Sequence, residues 1–302
     1  MDTAPDMETH VRCFKRMING RHRVRQKDKP FSFSSFLFYI LAMEITFVEQ
    51  AFNNAEFVEG MMGLAQIGYQ KVESKDQRIR DFGADKLEAI LTEYHLSMIQ
   101  INTYFNVVQG RAAIEKSLAL NQEMIGYAKR FKAPFIRVFT GPLGNGSIGT
   151  DNATPDIWKE ATDALRLICK EGDQSGIAYA VETHHGTLAE NSTGILKLLE
   201  MTDCPNFHVN LQIPLKGEPD VYDSTRLLAP YVRHAHLNNY DTEGHFTHLS
   251  DGMYDIRKEI EILRKAGYDG ALSVEHAYHH RPIIHTAKRE FEFLSRIVQE
   301  LG

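Results

Sequence analysis

Ala178-Tyr179-Ala180-Val181-Glu182-Thr183-His184-His185-Gly186-Thr187-Leu188 is the stretch from which the rest of the chain can be read. A short apolar run ends on a carboxylate, two imidazoles and a glycine, the pattern of a buried strand that delivers polar side chains to a rim. Two later runs share the design. Val232-Arg233-His234-Ala235-His236-Leu237 ends near His236, and Ala271-Leu272-Ser273-Val274-Glu275-His276 ends near Glu275. Side chains alternate across a strand, so Ala180 shares a face with Glu182, His234 with His236, and Ser273 with Glu275. Three parallel strands would therefore aim Glu182, His236 and Glu275 at one point.

Outward from this strand, helical periodicity and short β-rich runs alternate. Before it, helices are expected at Ala51 to Ile67, Asp85 to Tyr94, Arg111 to Phe131 and Pro155 to Glu171, and strands at Tyr69 to Glu73, Leu96 to Asn102 and Phe135 to Phe139. After it come helix Ser192 to Met201, strand Phe207 to Leu211, a short helix around Asp220 to Leu228, strand 232 to 237, helix Ile256 to Lys265, strand 271 to 275 and a last helix from Pro282 to Glu300. With the apolar run Phe31 to Met43 as the first strand, the count is eight strands, each followed by a helix. Such βα units imply parallel strands and right-handed crossovers, and eight of them predict a closed (β/α)8 TIM barrel. An open doubly wound sheet would want a Gly-rich turn after its first strand. Gly141-Pro142-Leu143-Gly144-Asn145-Gly146 lacks both the spacing and the Lys-Ser/Thr ending of a phosphate loop, and reads as a βα loop over the site.

The chain has 302 residues, a length that an α/β barrel reaches as one domain. The expected organisation is a barrel over residues 31–302 preceded by a basic extension over 1–30, where Arg12, Lys15, Arg16, Arg21, Arg23, Arg25, Lys27 and Lys29 crowd together. Basic residues before an apolar run follow the order of a secretory signal, but this basic region is long, serines interrupt the run and no A-x-A-like site follows. The run is also too short to span a bilayer. A net charge of -6 gives no footprint for nucleic acid or an anionic membrane. Three scattered cysteines suggest neither a disulfide framework nor a thiolate metal site, and a cytoplasmic setting is expected. The expected partner is a small molecule.

Two carboxylates and an imidazole without a thiolate make a site for a hard to borderline ion: Mn²⁺ foremost, with Mg²⁺, Co²⁺ or Zn²⁺ also suited. Gln212, at the end of the strand that precedes His236, offers a fourth oxygen. The chain from about residue 44 onward resembles the sugar phosphate isomerase/epimerase superfamily, the xylose-isomerase-like TIM barrels. The resemblance is carried by Gly68-Tyr69 through Val72-Glu73, by Val181 to Leu188 as an "E-x-H-x-G-x-L" segment, by His236-Leu237-Asn238-Asn239 as an "H-x-K-D" strand end, and by Asp251-Gly252-Met253-Tyr254-Asp255 through Gly267-Tyr268-Asp269-Gly270 to Glu275. It implies a metal held by Glu182, Gln212, His236 and Glu275, with His184 beside the substrate. Most relatives carry aspartate where Gln212 stands and many carry lysine where Asn238 stands.

The activity this implies is metal-dependent isomerisation or epimerisation of a ketose or keto-sugar, with Glu182 and Glu275 exchanging the proton and His184 or His234 as auxiliary acid. His234, Asn238 and Arg137 are the candidates for substrate contact. The alternatives are a lyase that cleaves a 3-keto-glycoside, as in the catalytic subunit of C-glycoside deglycosidases and so with a small partner subunit, and a non-catalytic sugar-binding barrel. A homo-oligomer is expected.

Overall fold

The computed structural model describes residues 43–275 and 277–301. Eight parallel strands close into a barrel: β1 (Glu44–Val48), β2 (Lys71–Lys75), β3 (Ser97–Asn102), β4 (Phe135–Val138), β5 (Ala178–Glu182), β6 (Phe207–Leu211), β7 (Val232–Leu237) and, after a two-stranded excursion formed by β8 (Asn239–Tyr240) and β9 (Phe246–Thr247), β10 (Ala271–Val274). Closure is made where β1 pairs with β10, Glu44 opposite Ala271 through Phe47 opposite Val274. Around the barrel lie α1 (Phe57–Ile67), α2 (Asp76–Phe82), α3 (Ala84–Glu93), α4 (Arg111–Phe131), α5 (Pro155–Asp173), α6 (Ser192–Thr202), α7 (Val221–Leu228), α8 (Ile256–Lys265) and α9 (Ile283–Leu301). The chain is thus a TIM barrel, as the alternation of periods predicts. None of the described helices is long and apolar enough to cross a membrane.

The helix starts follow local chemistry. Thr154 accepts from the Ile157 amide with Pro155 in the first turn of α5, Asn191 accepts from Gly194 ahead of α6, Asp220 from Tyr222 and Asp223 ahead of α7, and Asp255 from Lys258 ahead of α8. Each side chain satisfies an amide that the first helical turn leaves without a carbonyl. These caps fall in βα loops, so they also set where each loop leaves the rim.

The first strand differs from the expectation. Of Phe31 to Met43 only Met43 is among the described residues, and the strand that closes the barrel is Glu44–Val48. Its five residues are shorter than the apolar run before it, and Thr46, buried inside the barrel wall, interrupts the hydrophobic pattern. The β8–β9 hairpin and α2 are also additions to the expected set.

The space between strands and helices is filled by apolar side chains such as Phe47, Leu64, Ile101, Val138, Leu211 and Leu272. The barrel interior is different. Glu73, Gln100, Asn102, Arg137, Asn210, His234, His236 and Ser273 are buried polar side chains on the barrel strands, where many TIM barrels stack branched aliphatics. Burying so many polar groups is costly unless each finds a partner. Their partners define the site.

Candidate active site

Glu182 is the last residue of β5, His236 stands one residue before the end of β7, and Glu275 follows β10 directly. All three are buried at the C-terminal end of the barrel, and one donor atom from each lies within 4.8 Å of the other two. His236 Nδ1 is 3.4 Å from Glu182 Oε2 and 3.5 Å from Glu275 Oε1 and makes no hydrogen bond. On the other side of the ring, Nε2 is 2.9 Å from Glu73 Oε2. A carboxylate only accepts, so Nε2 carries a proton, and Nδ1 faces two carboxylates. Buried lone pairs in that arrangement repel unless a proton or a cation sits among them. Burial alone would lower the imidazole's pKa, but Glu73, Glu275 and Glu182 together outweigh it and push it up to about 10. The site attracts positive charge.

Gln212 follows β6, with its backbone amide and carbonyl both 2.6 Å from Thr183 Oγ1, which ties the ends of β5 and β6 together. Its side-chain amide lies 3.1 Å from Glu182 Oε1, 3.1 Å from Glu275 Oε2 and 3.1 Å from Asn238 Nδ2. With nitrogen toward the carboxylates it donates to both; with oxygen toward them it completes a set of oxygen donors around a cation. Asn238 also donates to Glu275 Oε2 at 3.1 Å. The expected residues Glu182, Gln212, His236 and Glu275 thus converge, and Asn238 stands beside them.

Arg137, on β4, is 1% exposed and its Nη1 donates to Glu182 Oε2 at 2.9 Å. The guanidinium lies over the rings of Phe139 at 4.4 Å and Tyr104 at 4.8 Å, while Nε and Nη2 make no hydrogen bond. Burial would weaken its charge, but Glu182, Tyr104 and Glu275 together outweigh it and raise its pKa. Among the described residues, three buried carboxylates, Glu73, Glu182 and Glu275, stand against one guanidinium, an excess of two negative charges once a bound ion has displaced any second proton from His236. A single divalent ion matches that excess. The donors that face each other, two carboxylates, one imidazole nitrogen and one carboxamide oxygen, suit a hard to borderline ion.

His184 is half-buried at the mouth, its Nδ1 2.8 Å from the His185 carbonyl and its ring edge-on to Phe139 at 5.2 Å. The nitrogen left for chemistry is Nε2. The loop that carries it is fixed from below: Gly186, at φ 78°, and Thr150 donate their amides to the buried Glu190 carboxylate, which also meets Lys216 at 3.0 Å. The Gly-x-Leu part of the motif is therefore architecture, a left-handed turn that lets the chain fold back over Glu190.

His234 corrects an expectation. It is fully buried, one strand layer below His236, with Nε2 2.6 Å from Glu73 Oε1 and its ring 5.4 Å from that of His236. Two residues back along a strand means the same face but a deeper position, so it supports the site from beneath and does not reach the mouth. Glu73 was absent from the candidates read from sequence. Its signal was a lone carboxylate in the middle of Lys71-Val72-Glu73-Ser74-Lys75, a costly residue for a buried strand unless something holds it.

A family model described as xylose isomerase-like TIM barrel matches residues 63–297. The chain belongs to this family. It is 28% identical over 151 residues to 3-dehydroshikimate dehydratase of Bacillus anthracis, a match covering 49% of this chain and 52% of that protein. The chain spans about half the length of the curated relatives it matches. Among solved structures it resembles the probable 3-DHS dehydratase AsbF of Bacillus anthracis, involved in petrobactin synthesis, with a TM-score of 0.70 at 19% identity over 84% of this chain and 99% of that one. An L-ribulose 3-epimerase gives a TM-score of 0.70 at 15% identity over 85% and 95%. These structural likenesses bear on the fold. The members named here are enzymes, and they include both dehydratases and an epimerase.

Proposed function

We propose that this chain is a divalent-metal-dependent lyase that removes a proton beside the carbonyl of a polyhydroxylated ketone or keto-sugar and expels a β-hydroxyl or other β-substituent. The observation that carries the reading is the donor set of the buried site, two carboxylates and an imidazole nitrogen within 4.8 Å of one another with the Gln212 amide 3.1 Å from both carboxylates. Glu182, Gln212, His236 and Glu275 are assigned to hold the ion, with Mn²⁺ or Mg²⁺ the best match to so oxygen-rich a set. Bound there, it would supply Lewis-acid polarisation of the carbonyl, worth several kcal/mol of transition-state stabilisation.

The protein's own groups do the proton work. Glu275 takes the proton from the carbon beside the carbonyl, and the C–H electron pair moves toward the carbonyl oxygen. The pair then returns to form the C=C bond as the C–O bond to the β-substituent breaks, and His184 gives the departing oxygen its proton. Arg137, whose Nε and Nη2 have no partner, is assigned to substrate oxygens, and Tyr104 and Phe139 wall the approach. Elimination is favoured over the epimerisation expected from sequence by one asymmetry. Epimerisation exchanges a proton between two carboxylates, but Glu182 Oε2 is tied to Arg137 in a buried ion pair, which a transferred proton would break. The curated relatives, a 3-dehydroshikimate dehydratase and inosose dehydratases, support the same direction.

The test is Mn²⁺-loaded protein in deuterated water with a panel of cyclic hydroxyketones, ketoses and 3-keto-glycosides, followed by NMR. Loss of a C–H together with release of water or an aglycone is the expected result. Exchange with a new epimer and no release would assign the epimerase instead, and silence with every substrate would remove both. A binding-only barrel would keep its affinity for sugars in Glu182→Gln.

A further inference from the structure

We propose that Glu73 is a positioning residue that sets which nitrogen of His236 faces the metal; the inference rests on the metal-dependent reading above. Glu73 is fully buried in the middle of β2, on the opposite side of His236 from Glu182 and Glu275. Its Oε2 accepts from His236 Nε2 at 2.9 Å, Gln100 Nε2 at 2.9 Å and Asn102 Nδ2 at 3.0 Å, and its Oε1 lies 2.6 Å from His234 Nε2. Donors from β3 and β7 thus clamp a carboxylate on β2, and it cannot turn without breaking four contacts at once.

The consequence for His236 is chemical. A neutral imidazole has one N–H and one lone pair, and a carboxylate can only accept, so the proton is held at Nε2 and the lone pair is delivered at Nδ1. Turning the ring to present Nε2 to Glu182 and Glu275 would break the Nε2 contact with Glu73 and require the proton to move to Nδ1. Asn210 stands beside the same nitrogen, with its Nδ2 3.1 Å from Nε2 and its Oδ1 without a hydrogen bond; exchanging the two ends of the amide would let Oδ1 share that N–H with Glu73. His234 is the counterweight, donating to the second oxygen so that the carboxylate stays level between the two rings. A partner on the far nitrogen fixes the orientation of a metal-binding histidine and raises its basicity, and removing such partners typically weakens metal affinity 10- to 100-fold.

The experiment uses the full chain with Zn²⁺ and ¹⁵N-labelled histidine. In the wild type, long-range ¹H–¹⁵N correlation is expected to show His236 ligated through Nδ1 with a protonated Nε2; ligation through Nε2 overturns the proposal without any variant. Calorimetric titration with Zn²⁺ then compares Glu73→Gln and Glu73→Asp with the wild type. Affinity lower by about 10- to 100-fold with an unchanged circular-dichroism spectrum supports it, and wild-type affinity in a folded variant refutes it. Glu182→Gln is the control: it loses a metal ligand but keeps the protonated Nε2, a difference that a merely structural Glu73 would not produce. If the wild type takes up no Zn²⁺, the metal reading fails by itself. A crystal structure of Glu73→Gln then decides the positioning role, with a rotated His236 ring in favour and an unmoved ring against.

Discussion

Replacing Arg137 by methionine would separate the two charges that the metal-free site holds together. Arg137 and Glu182 are 1% and 2% exposed and joined at 2.9 Å, and removing one partner of such a pair leaves the other as an uncompensated buried charge. That typically costs about 3–5 kcal/mol. A domain of this size loses about 2 °C in melting temperature per kcal/mol, so the metal-free variant should melt about 6–10 °C below the wild type. Methionine keeps the contact with Phe139 and Tyr104 and forfeits only the cation–π part, about 0.5–2 kcal/mol. With Mn²⁺ bound, Glu182 has a new positive neighbour, and the deficit should fall to less than half. Differential scanning calorimetry of both proteins in chelator and in excess Mn²⁺ measures the four temperatures. Equal melting of the two proteins in chelator, or a deficit that is the same with and without the ion, would refute the charge argument.

Three further outcomes follow from the same side chains. Glu259 on α8 is fully buried with neither oxygen hydrogen-bonded, and burial raises its pKa from 4.5 to about 8. The folded carboxyl therefore keeps its proton while the unfolded one ionises, and stability is lost as pH rises from about 4.5 to about 8. At about 1.36 kcal/mol per pH unit that loss is at most about 5 kcal/mol; Glu259→Met should remove it, so urea denaturation should find the variant's advantage much larger at pH 8.5 than at pH 4.5. His184→Gln should lower turnover by about 10²–10⁴ while calorimetry finds the Mn²⁺ affinity unchanged, because the ring lies at the mouth and outside the donor set. Gln212→Asp adds a charge 3.1 Å from two carboxylates and should tighten Mn²⁺ binding by tenfold or more, about 1.4 kcal/mol, while lowering the melting temperature of the metal-free protein.

The barrel was legible because its strands are buried on both faces and its helices on one, which writes two different periods into the chain. Arg111–Phe131, Phe207–Leu211, Val232–Leu237 and Ile256–Lys265 lie where those periods place them. Glu44–Val48 did not stand out because Phe31 to Met43, immediately before it, is longer and more apolar, and local pattern has no access to the pairing with β10 that makes Glu44–Val48 the closing strand. Glu182, His236, Gln212 and Glu275 were legible because a polar residue at the end of an apolar strand has only the rim to go to. Glu73 and His234 were harder for the opposite reason. They sit lower in their strands, and their compatibility with a buried barrel depends on each other across 161 positions of sequence, a dependence that no local window contains. Arg137 was expected to touch substrate, but its salt bridge to Glu182 likewise needs the third dimension.

The replacement of aspartate by Gln212 bears on what the site can do as well as on whether it binds an ion. With a fourth carboxylate, a site containing Glu73, Glu182, Glu275 and Arg137 would keep one negative charge after taking up a divalent cation. With glutamine it comes to zero. Proton abstraction beside a carbonyl places negative charge on the substrate, and a neutral buried site resists that charge less than a negative one, because buried charges are weakly screened. A carboxamide at this position thus gives up some affinity for the ion in exchange for a site more tolerant of an anionic transition state. The same neutrality would admit a substrate that is itself an anion, for which Arg137, buried beside the mouth with Nε and Nη2 making no hydrogen bond, is the guanidinium that the described residues place against the cluster.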